Sequence, residues 1–315
     1  MTDHTKPRRR AIIDAHLHLY DSQANAFAIF EQRQPGLEAL VGDYSALPRT
    51  YLLDDYLRDS ASRDVEGIIW HEFISRDAEK EMTWGQHLAS ASQLPIALVG
   101  LVDFLDPRLT ERLEFYRSLP AAAGVRQHLG WDASNPLRCF ATRPDFLSDA
   151  KWREGLKQLR GGRLRCGLEV FSPQLPDLLD VVRQFPDIGF TVAVMGWPTD
   201  LTAEGYRRWR DVLTAIARCG NTVASISAIE CIFGMSWRPE QLKPWMLAVV
   251  EAFGPGRTML GSHLPLTGLS HGFDPLYDGY EAILTGFSEE EKDQLFRGTA
   301  MQWFGVPKRE LLSET

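Results

Sequence analysis

Residues 11–18 read AIIDAHLH, an apolar run that leads into two histidines separated by a single residue. Similar short, nearly continuous apolar runs recur at long intervals along the chain. This pattern is typical of strands that are covered on both faces, as the strands of parallel sheets are. The sequence therefore predicts eight strands, at residues 11–15, 67–70, 96–102, 123–126, 164–171, 189–194, 222–226 and 258–261.

The segments between these strands carry the spacing of amphipathic helices. Apolar residues recur at steps of three and four, for example within residues 175–185, 213–217 and 245–253. Eight strands that alternate with helices over about 250 residues match the number and size of a (β/α)8 TIM barrel, and this α/β fold is our prediction. A doubly wound open sheet is the alternative, but no predicted strand is followed by the G-x-G-x-x-G pattern that binds dinucleotides.

The composition restricts the class of protein. The chain has 315 residues, of which 44% are hydrophobic and 24% charged, and its formal net charge is -8. That acidic balance argues against a nucleic-acid partner. Four cysteines without C-x-x-C spacing exclude a zinc ribbon or a thioredoxin motif and favour a reducing, cytoplasmic setting.

The chain also lacks the signals of membrane insertion or export. No apolar run approaches the roughly 20 residues of a membrane helix, so we predict no membrane contact. Residues 1–10 contain four basic side chains but no apolar region of the kind that signal peptides have. We therefore predict a flexible basic tail over residues 1–10 and one barrel domain over residues 11–315.

Two long segments interrupt the regular alternation of strands and helices. Residues 21–64 follow the first strand, and residues 129–149 follow the fourth. Long βα loops of a barrel lie over its C-terminal mouth, where barrel enzymes keep their chemistry. We expect both segments to cover a site at that mouth, although decorative insertions would give the same pattern.

His16 and His18 come directly after the first strand. Residues two apart on a strand face the same way, so both imidazoles can converge on one point at the mouth. Two convergent imidazoles suit a divalent metal or a polarised carbonyl group.

Other polar side chains follow the remaining strands. The candidates are His71 and Glu72 after the second strand, Asp103 after the third, Arg126 and His128 at the end of the fourth, Glu169 on the fifth and His263 after the eighth. An arginine there can hold a carboxylate through two hydrogen bonds, or it can form a salt bridge that closes the barrel. We predict that Arg126, Glu72, His71, His128 and Trp131 bind substrate. For His71 a packed or capping role is the alternative, and for Trp131 it is ordinary packing.

Several short motifs, in this order, resemble the amidohydrolase-related family, which includes lactonases for sugar acids and for 2-pyrone-4,6-dicarboxylate. The motifs are the histidine-containing block at residues 13–20, Gly124-Val125-Arg126-Gln127, Pro173-Gln174-Leu175-Pro176, Gly196-x-Pro198, Gly261-Ser262-x-x-Pro265 and residues 273–280. The resemblance extends over nearly the whole chain. It implies a (β/α)8 hydrolase whose site lies at the C-terminal ends of the strands.

The resemblance also implies a set of metal ligands, of which only His16 and His18 are carried over to this sequence. The family's histidine after strand five corresponds to Pro173, and its histidine after strand six corresponds to Val194. The aspartate after strand eight corresponds to His263, and Ser225 stands on strand seven where relatives often carry lysine. Two histidines are too few for a catalytic zinc site unless His263 or His71 supplies a third ligand.

We therefore predict a lactonase that opens a small carboxylated or polyhydroxylated lactone without a cofactor, with a weakly bound divalent metal such as zinc as the alternative. Arg126 would anchor an anionic small-molecule substrate, His16 and His18 would polarise the carbonyl, and His263 would be the base for water. Two further hypotheses stay open. One is a catalytically degenerate barrel that binds a small molecule, and the other is a metal-dependent hydrolase or decarboxylase of the same superfamily.

Overall fold

Eight parallel strands form a nearly closed barrel, which confirms the predicted fold. The computed structural model describes residues 10–307. Within that range each predicted strand is present and each pairs with the next along the chain. The strands are β1 Ala11–Leu17, β2 Asp64–His71, β3 Ile96–Leu101, β4 Ala122–His128, β5 Arg165–Glu169, β6 Phe190–Val192, β7 Thr222–Ile226 and β8 Thr258–Leu260.

The helices lie outside the barrel and on its mouth. The three amphipathic segments predicted from the sequence correspond to the seventh, eighth and tenth helices. The helices are α1 Ala28–Glu31, α2 Pro35–Val41, α3 Leu53–Asp59, α4 Ala78–Ala91, α5 Leu109–Ser118, α6 Ala150–Leu156, α7 Leu175–Gln184, α8 Ala203–Ala217, α9 Ile229–Phe233, α10 Pro239–Phe253, α11 Phe273–Ile283, α12 Glu289–Asp293 and α13 Thr299–Phe304.

Apolar side chains fill the barrel from both sides of its strands. Inward-facing residues such as Ile13, Ile69 and Val223 form a small cluster that Phe304 of α13 closes at the N-terminal end. Outward-facing residues of the strands pack against the helices in a second, much larger cluster. Because strands with both faces buried need apolar residues at nearly every position, this arrangement explains the continuous runs in the sequence.

The seam between β1 and β8 is held by hydrogen bonds at the mouth. The amide of His263 donates to the carbonyl of His16 at 2.7 Å, and the amide of His18 donates to the carbonyl of Leu264 at 2.8 Å. Gly261 is needed there, because a Cβ at this position would lie 2.6 Å from the backbone nitrogen of His16. The close approach of the two strands therefore brings His263 beside the H-x-H pair.

The two long segments cover the mouth as predicted. Residues 21–63 contain α1 to α3. Two short strands, Tyr20–Asp21 at the start of the segment and Thr50–Tyr51 just before α3, pair antiparallel. The second segment contains short turns of 3₁₀-helix at Pro136–Arg138 and Phe146–Ser148. The two segments touch at Gly36, where an added Cβ would lie 3.2 Å from the carbonyl oxygen of Leu137. Together they form an arch over the C-terminal end of the barrel.

The predicted division into a tail and one barrel domain stays a prediction. Residues 1–9 and 308–315 lie outside the described residues. Arg10, which we assigned to the tail, forms an ion pair with Glu289 and lies 5.6 Å from the centre of the Phe296 ring. Among residues 10–307, none of the helices combines the length and apolar character needed to cross a bilayer.

Candidate functional site

Three histidines from the two ends of the chain meet at the floor of the mouth. His16 lies on β1 and His18 follows it directly, and His263 follows β8. The ring centroids of His16 and His18 are 5.1 Å apart, and the His263 ring lies 4.9 Å from the first and 5.2 Å from the second. All three side chains are buried. The structure thus brings together the three residues that the sequence predicted to be catalytic.

Each of these imidazoles has one nitrogen fixed by a neighbour. Nδ1 of His18 donates to the carbonyl oxygens of His71 and Glu72, at 3.0 and 3.1 Å. Nδ1 of His16 lies 2.7 Å from the hydroxyl of Ser227. Nδ1 of His263 donates to the carboxylate of Glu230. In His18 and His263, therefore, Nε2 carries the lone pair and is free to act on a ligand.

Glu230 is a site residue that our sequence analysis did not select. It lies in α9, four residues beyond β7, is fully buried and accepts a second hydrogen bond from the hydroxyl of Thr267 at 2.9 Å. The only available signal was its position just after a predicted strand. Its pairing with His263, 33 residues away, depends on the tertiary structure. A buried carboxylate that orients a histidine is a recurring device of hydrolytic sites.

His16 and His18 are held neutral by their surroundings. Burial lowers the pKa of His16 well below its usual value, and the neighbouring histidines lower it further. Burial followed by the charge of Arg126 has the same effect on the pKa of His18. Neutral imidazoles keep a lone pair for a metal ion or for an acidic proton. The floor of the site is therefore suited to such a ligand at neutral pH.

Backbone strain is concentrated at the strand ends around this floor. Several residues other than glycine there have positive φ angles, namely Ile74 (55°), Val194 (50°), Met195 (55°), Ala228 (52°) and His263 (61°). Left-handed backbone costs a residue with a side chain about 1–2 kcal/mol. Such residues cluster at functional sites, where packing holds them in place. The positive φ angle of His263 sets the direction in which its side chain leaves the backbone.

Arg126 forms a closed ionic cluster with two glutamates. Its Nε donates to Glu72 at 2.7 Å and its Nη1 to Glu169, and its side chain is only 5% exposed. A third hydrogen bond, from Nη2, goes to the carbonyl oxygen of Glu72 at 2.7 Å. Because two carboxylates already neutralise the guanidinium, the geometry gives no support to its predicted role as an anchor for an anionic substrate. The alternative, a salt bridge within the barrel, describes its contacts better.

His128 completes this cluster and carries a positive charge. Its Nδ1 lies 2.9 Å from Glu169 and its Nε2 lies 3.2 Å from Glu72. Burial opposes protonation, but the two carboxylates outweigh it and raise the pKa of His128 to about 9. One arginine, one imidazolium and two carboxylates thus balance at pH 7. His128 lines the mouth cavity, so this is the charged histidine that a substrate meets.

The raised pKa of His128 predicts a pH-dependent stability. The imidazolium stabilises the fold fully below about pH 6.5, and this contribution is lost as the pH rises through about 9. The variant His128→Gln lacks the titrating group. We therefore expect the difference in free energy of unfolding between the wild type and H128Q to shrink by roughly 2–3 kcal/mol between pH 6 and pH 9.5. Urea unfolding followed by tryptophan fluorescence measures it, and parallel pH profiles would contradict the assignment.

Three residues predicted to bind substrate lie away from the open cavity. His71 lines a small cavity of about 20 Å³ inside the barrel, and burial lowers its pKa to about 3. Glu72 is fully buried beneath Arg126 and His128. Trp131 is half-buried and donates its backbone amide to Gln174. For His71 and Glu72 the contacts fit a role in positioning His18 and Arg126. The aromatic residues that do line the mouth are Phe73, Phe140, Phe171 and Trp197.

The mouth opens into a cavity of about 540 Å³, a volume typical of small-molecule sites. Its floor carries His16, His18 and His263 together with His128, Arg126 and Glu169. Its walls come mainly from the two long segments and are mostly apolar. The wall residues are Ala28, Ile29, Gln34, Pro35, Gly36, Leu37, Leu40, Val41, Phe73, Ile74, Gly130, Pro136, Leu137, Cys139, Phe140, Phe171, Trp197, Cys231 and Leu266.

The donor set on the floor fits a divalent cation such as zinc. One ligand atom from each of His16, His18 and His263 lies within 4.8 Å of the others. Nε2 of His16 is buried and has no hydrogen-bond partner among residues 10–307, which is unusual for a polar atom. Of the two residues that we considered as a third ligand, His263 is the one that the structure places in this group. His71 does not belong to this group of ligands.

Comparisons with known proteins agree with the fold. The sequence model of the amidohydrolase family matches residues 13–306. The uncharacterized protein y4mH of Sinorhizobium fredii is 26% identical over 299 residues, which cover 94% of this chain and 99% of that protein. The L-fucono-1,5-lactonase of Burkholderia multivorans is 25% identical over 224 residues, which cover 67% of this chain and 72% of the lactonase.

A solved structure extends the likeness to three dimensions. The crystal structure of an amidohydrolase from Burkholderia multivorans with bound zinc superposes with a TM-score of 0.76, covering 95% of this chain and 100% of the other. The two sequences are 24% identical. This similarity shows that the two proteins share a fold.

Proposed function

From the premise that the chain belongs to the amidohydrolase family, we propose that it is a hydrolase that opens a lactone by adding water to the ester carbonyl. The observation that carries the proposal is the meeting of His16, His18 and His263 at the floor of one cavity. The similarity to a curated L-fucono-1,5-lactonase supports the same type of reaction.

In the proposed reaction His263 accepts and returns a proton. Its Nε2 takes a proton from water as the water oxygen bonds to the carbonyl carbon, and Glu230 stabilises the imidazolium that forms. The ring C–O bond then breaks, and the imidazolium gives its proton to the ring oxygen. The product is an open hydroxy acid, and His263 is neutral again.

His16 and His18 line the space where the carbonyl group must lie. Because both imidazoles are neutral, neither repels the partially positive carbon of the carbonyl group. Nδ1 of His18 donates to the carbonyl oxygens of His71 and Glu72, so its Nε2 keeps a lone pair and cannot donate to the oxygen that becomes negative. Nδ1 of His16 can instead accept from the hydroxyl of Ser227, which leaves the Nε2–H of His16 to donate to that oxygen. The neighbouring ionic cluster contains two cations, Arg126 and His128, and two anions, Glu72 and Glu169. It therefore places no net charge beside the carbonyl group.

A divalent cation would be held by the same three imidazoles, and when bound it would polarise the carbonyl and lower the pKa of a water molecule. Nε2 of His263 has one lone pair, so it cannot hold a cation and accept a proton at the same time. The two possibilities therefore make opposite predictions for the effect of chelation.

We expect activity on a panel of lactones at pH 7 to survive exhaustive treatment with EDTA, and added Zn²⁺ to inhibit because it occupies Nε2 of His263. Acid release measured before and after chelation, with metal content determined on the same samples, tests this expectation. Loss of activity on chelation and its return with Zn²⁺ would instead make His263 a ligand. Tight binding of lactones with no turnover would favour a catalytically degenerate barrel over an enzyme.

A further inference from the structure

The walls of the mouth cavity differ sharply in polarity from its floor. The charged and hydrogen-bonding side chains lie at the ends of the barrel strands, whereas the walls above them are mostly alkyl and aromatic. We propose, resting on the lactone hydrolysis proposed above, that the preferred substrate carries an apolar substituent, alkyl or aryl, that extends from the ring along these walls.

The size of the cavity leaves room for such a substituent. A bare six-membered lactone fills roughly 200 Å³ if each of its non-hydrogen atoms occupies about the volume of a water molecule, ~30 Å³. The cavity measures about 540 Å³. A ring placed against the floor histidines therefore leaves more than half of the space unfilled, and this space is the apolar part.

The two long segments build that part together. Leu37 and Leu40 of α2 line it, as do Leu137 and Phe140 of the second segment. The two segments touch through Gly36, where an added Cβ would lie 3.6 Å from the Phe140 ring as well as close to the Leu137 carbonyl. The apolar walls are thus a continuous surface joined above the catalytic floor.

The rim of the cavity exposes apolar side chains that a substrate tail would cover. Six large apolar side chains are exposed within residues 10–307, and three of them line this cavity. They are Ile74, Leu137 and Phe140, at 51%, 50% and 38% exposure. Apolar surface of this kind beside a pocket is a recurring mark of a binding site.

A polyhydroxylated ring fits these walls poorly. Apart from two cysteines, only Gln34 and Trp197 among the wall residues carry a hydrogen-bonding side chain, so most ring hydroxyls directed toward the walls would meet no partner. A site rejects a polar group strongly when it leaves the group's hydrogen bonds unmade. The walls therefore select against sugar-like substrates and for substrates with a tail.

The test is a series of δ-lactones that differ only in an alkyl substituent, from methyl to heptyl, assayed with the full chain. Each methylene buried against the walls is expected to raise kcat/KM about three- to fourfold, so the six methylenes between methyl and heptyl would raise it about 700-fold or more if all are buried. The variant Leu137→Ser is expected to lower kcat/KM for the heptyl lactone about tenfold more than for the methyl lactone. Leu201→Ser is the matched control, because Leu201 is similarly exposed, at 46%, and does not line the cavity.

A second measurement separates this inference from the proposed reaction. Cyclohexanones with the same alkyl series cannot be hydrolysed, and their binding, measured by thermal shift, should strengthen with chain length in the wild type and less so in L137S. If tail-dependent binding occurs but no lactone is turned over, the proposed reaction fails and the apolar site stands. If neither kcat/KM of the lactones nor binding of the ketones changes with chain length, or if a polyhydroxylated lactone is preferred, the inference is overturned. The inference would also be overturned if chain length had no effect in either series and the wild type formed a dimer that dissociates in L137S. The apolar rim would then be the contact surface for a second copy of the chain.

Discussion

Replacing His263 by asparagine is expected to lower kcat/KM for lactone hydrolysis about 10³-fold. General acid–base catalysis by a positioned side chain contributes about 10²–10⁴-fold, and asparagine keeps the size and polarity of the site but cannot take a proton. Kinetics with the best lactone of the panel measure the effect. The fold should survive, because the backbone seam through the amide of residue 263 does not depend on its side chain.

Two further variants make this result specific. His271→Asn is the matched control, because His271 follows the same strand but hydrogen-bonds to the carbonyl of Trp237 and does not line the cavity. Its kinetics should equal those of the wild type. Glu230→Gln removes the charge behind His263 without touching substrate, so it should lower kcat at least tenfold and leave KM nearly unchanged. A change below threefold in H263N would rule out His263 as the base.

Replacing Arg126 by methionine is expected to destabilise the protein by about 3–5 kcal/mol, the usual cost of removing one partner from a buried ionic cluster. Methionine fills similar space but leaves Glu72, which is fully buried, and Glu169 with His128 as their remaining cationic partner. Two close carboxylates in an apolar surrounding repel each other and lack solvation. Urea unfolding of both proteins at pH 7 gives the difference in free energy of unfolding.

The double variant R126M/E72Q shows whether charge or packing causes that loss. An uncharged glutamine removes the buried carboxylate that Arg126 compensates, so the double variant should recover at least half of the lost stability. The cost of R126M should also shrink as the pH falls, because the carboxylates left without a cation can then take up protons. A loss below about 1 kcal/mol in R126M would show that the cluster is not a structural element.

The strand pattern of the sequence was enough to predict the barrel. Eight short apolar runs appear at the positions of the eight strands, because a parallel strand buried on both faces needs apolar residues at nearly every position. His16 and His18 could be placed at the mouth for the same local reason. The chain after a barrel strand emerges at the C-terminal end, and residues two apart point the same way.

Partners that are distant in the sequence could not be predicted in this way. Ser227 beside His16, and Glu230 with Thr267 behind His263, are brought together by the closing of the barrel. Their hydrogen bonds depend on distances and angles between separate strands, which no local pattern encodes. Arg126 shows the same limit, because the sequence placed it at the mouth but could not reveal that two carboxylates already neutralise it.

The sequence by itself thus determined the barrel, the end of the barrel at which the candidate site lies, and the pair of histidines at the end of the first strand. The sequence also proposed His263 as a partner of this pair. Only the tertiary structure showed that it lies beside them, that Glu230 orients it, and that apolar walls rise above a polar floor. The physical reason is the range of the interactions. Strand patterning and side-chain alternation act between near neighbours in the chain. Burial, charge pairing and hydrogen-bond geometry in the site depend on segments up to about 250 residues apart, as in the bond from the amide of His263 to the carbonyl of His16.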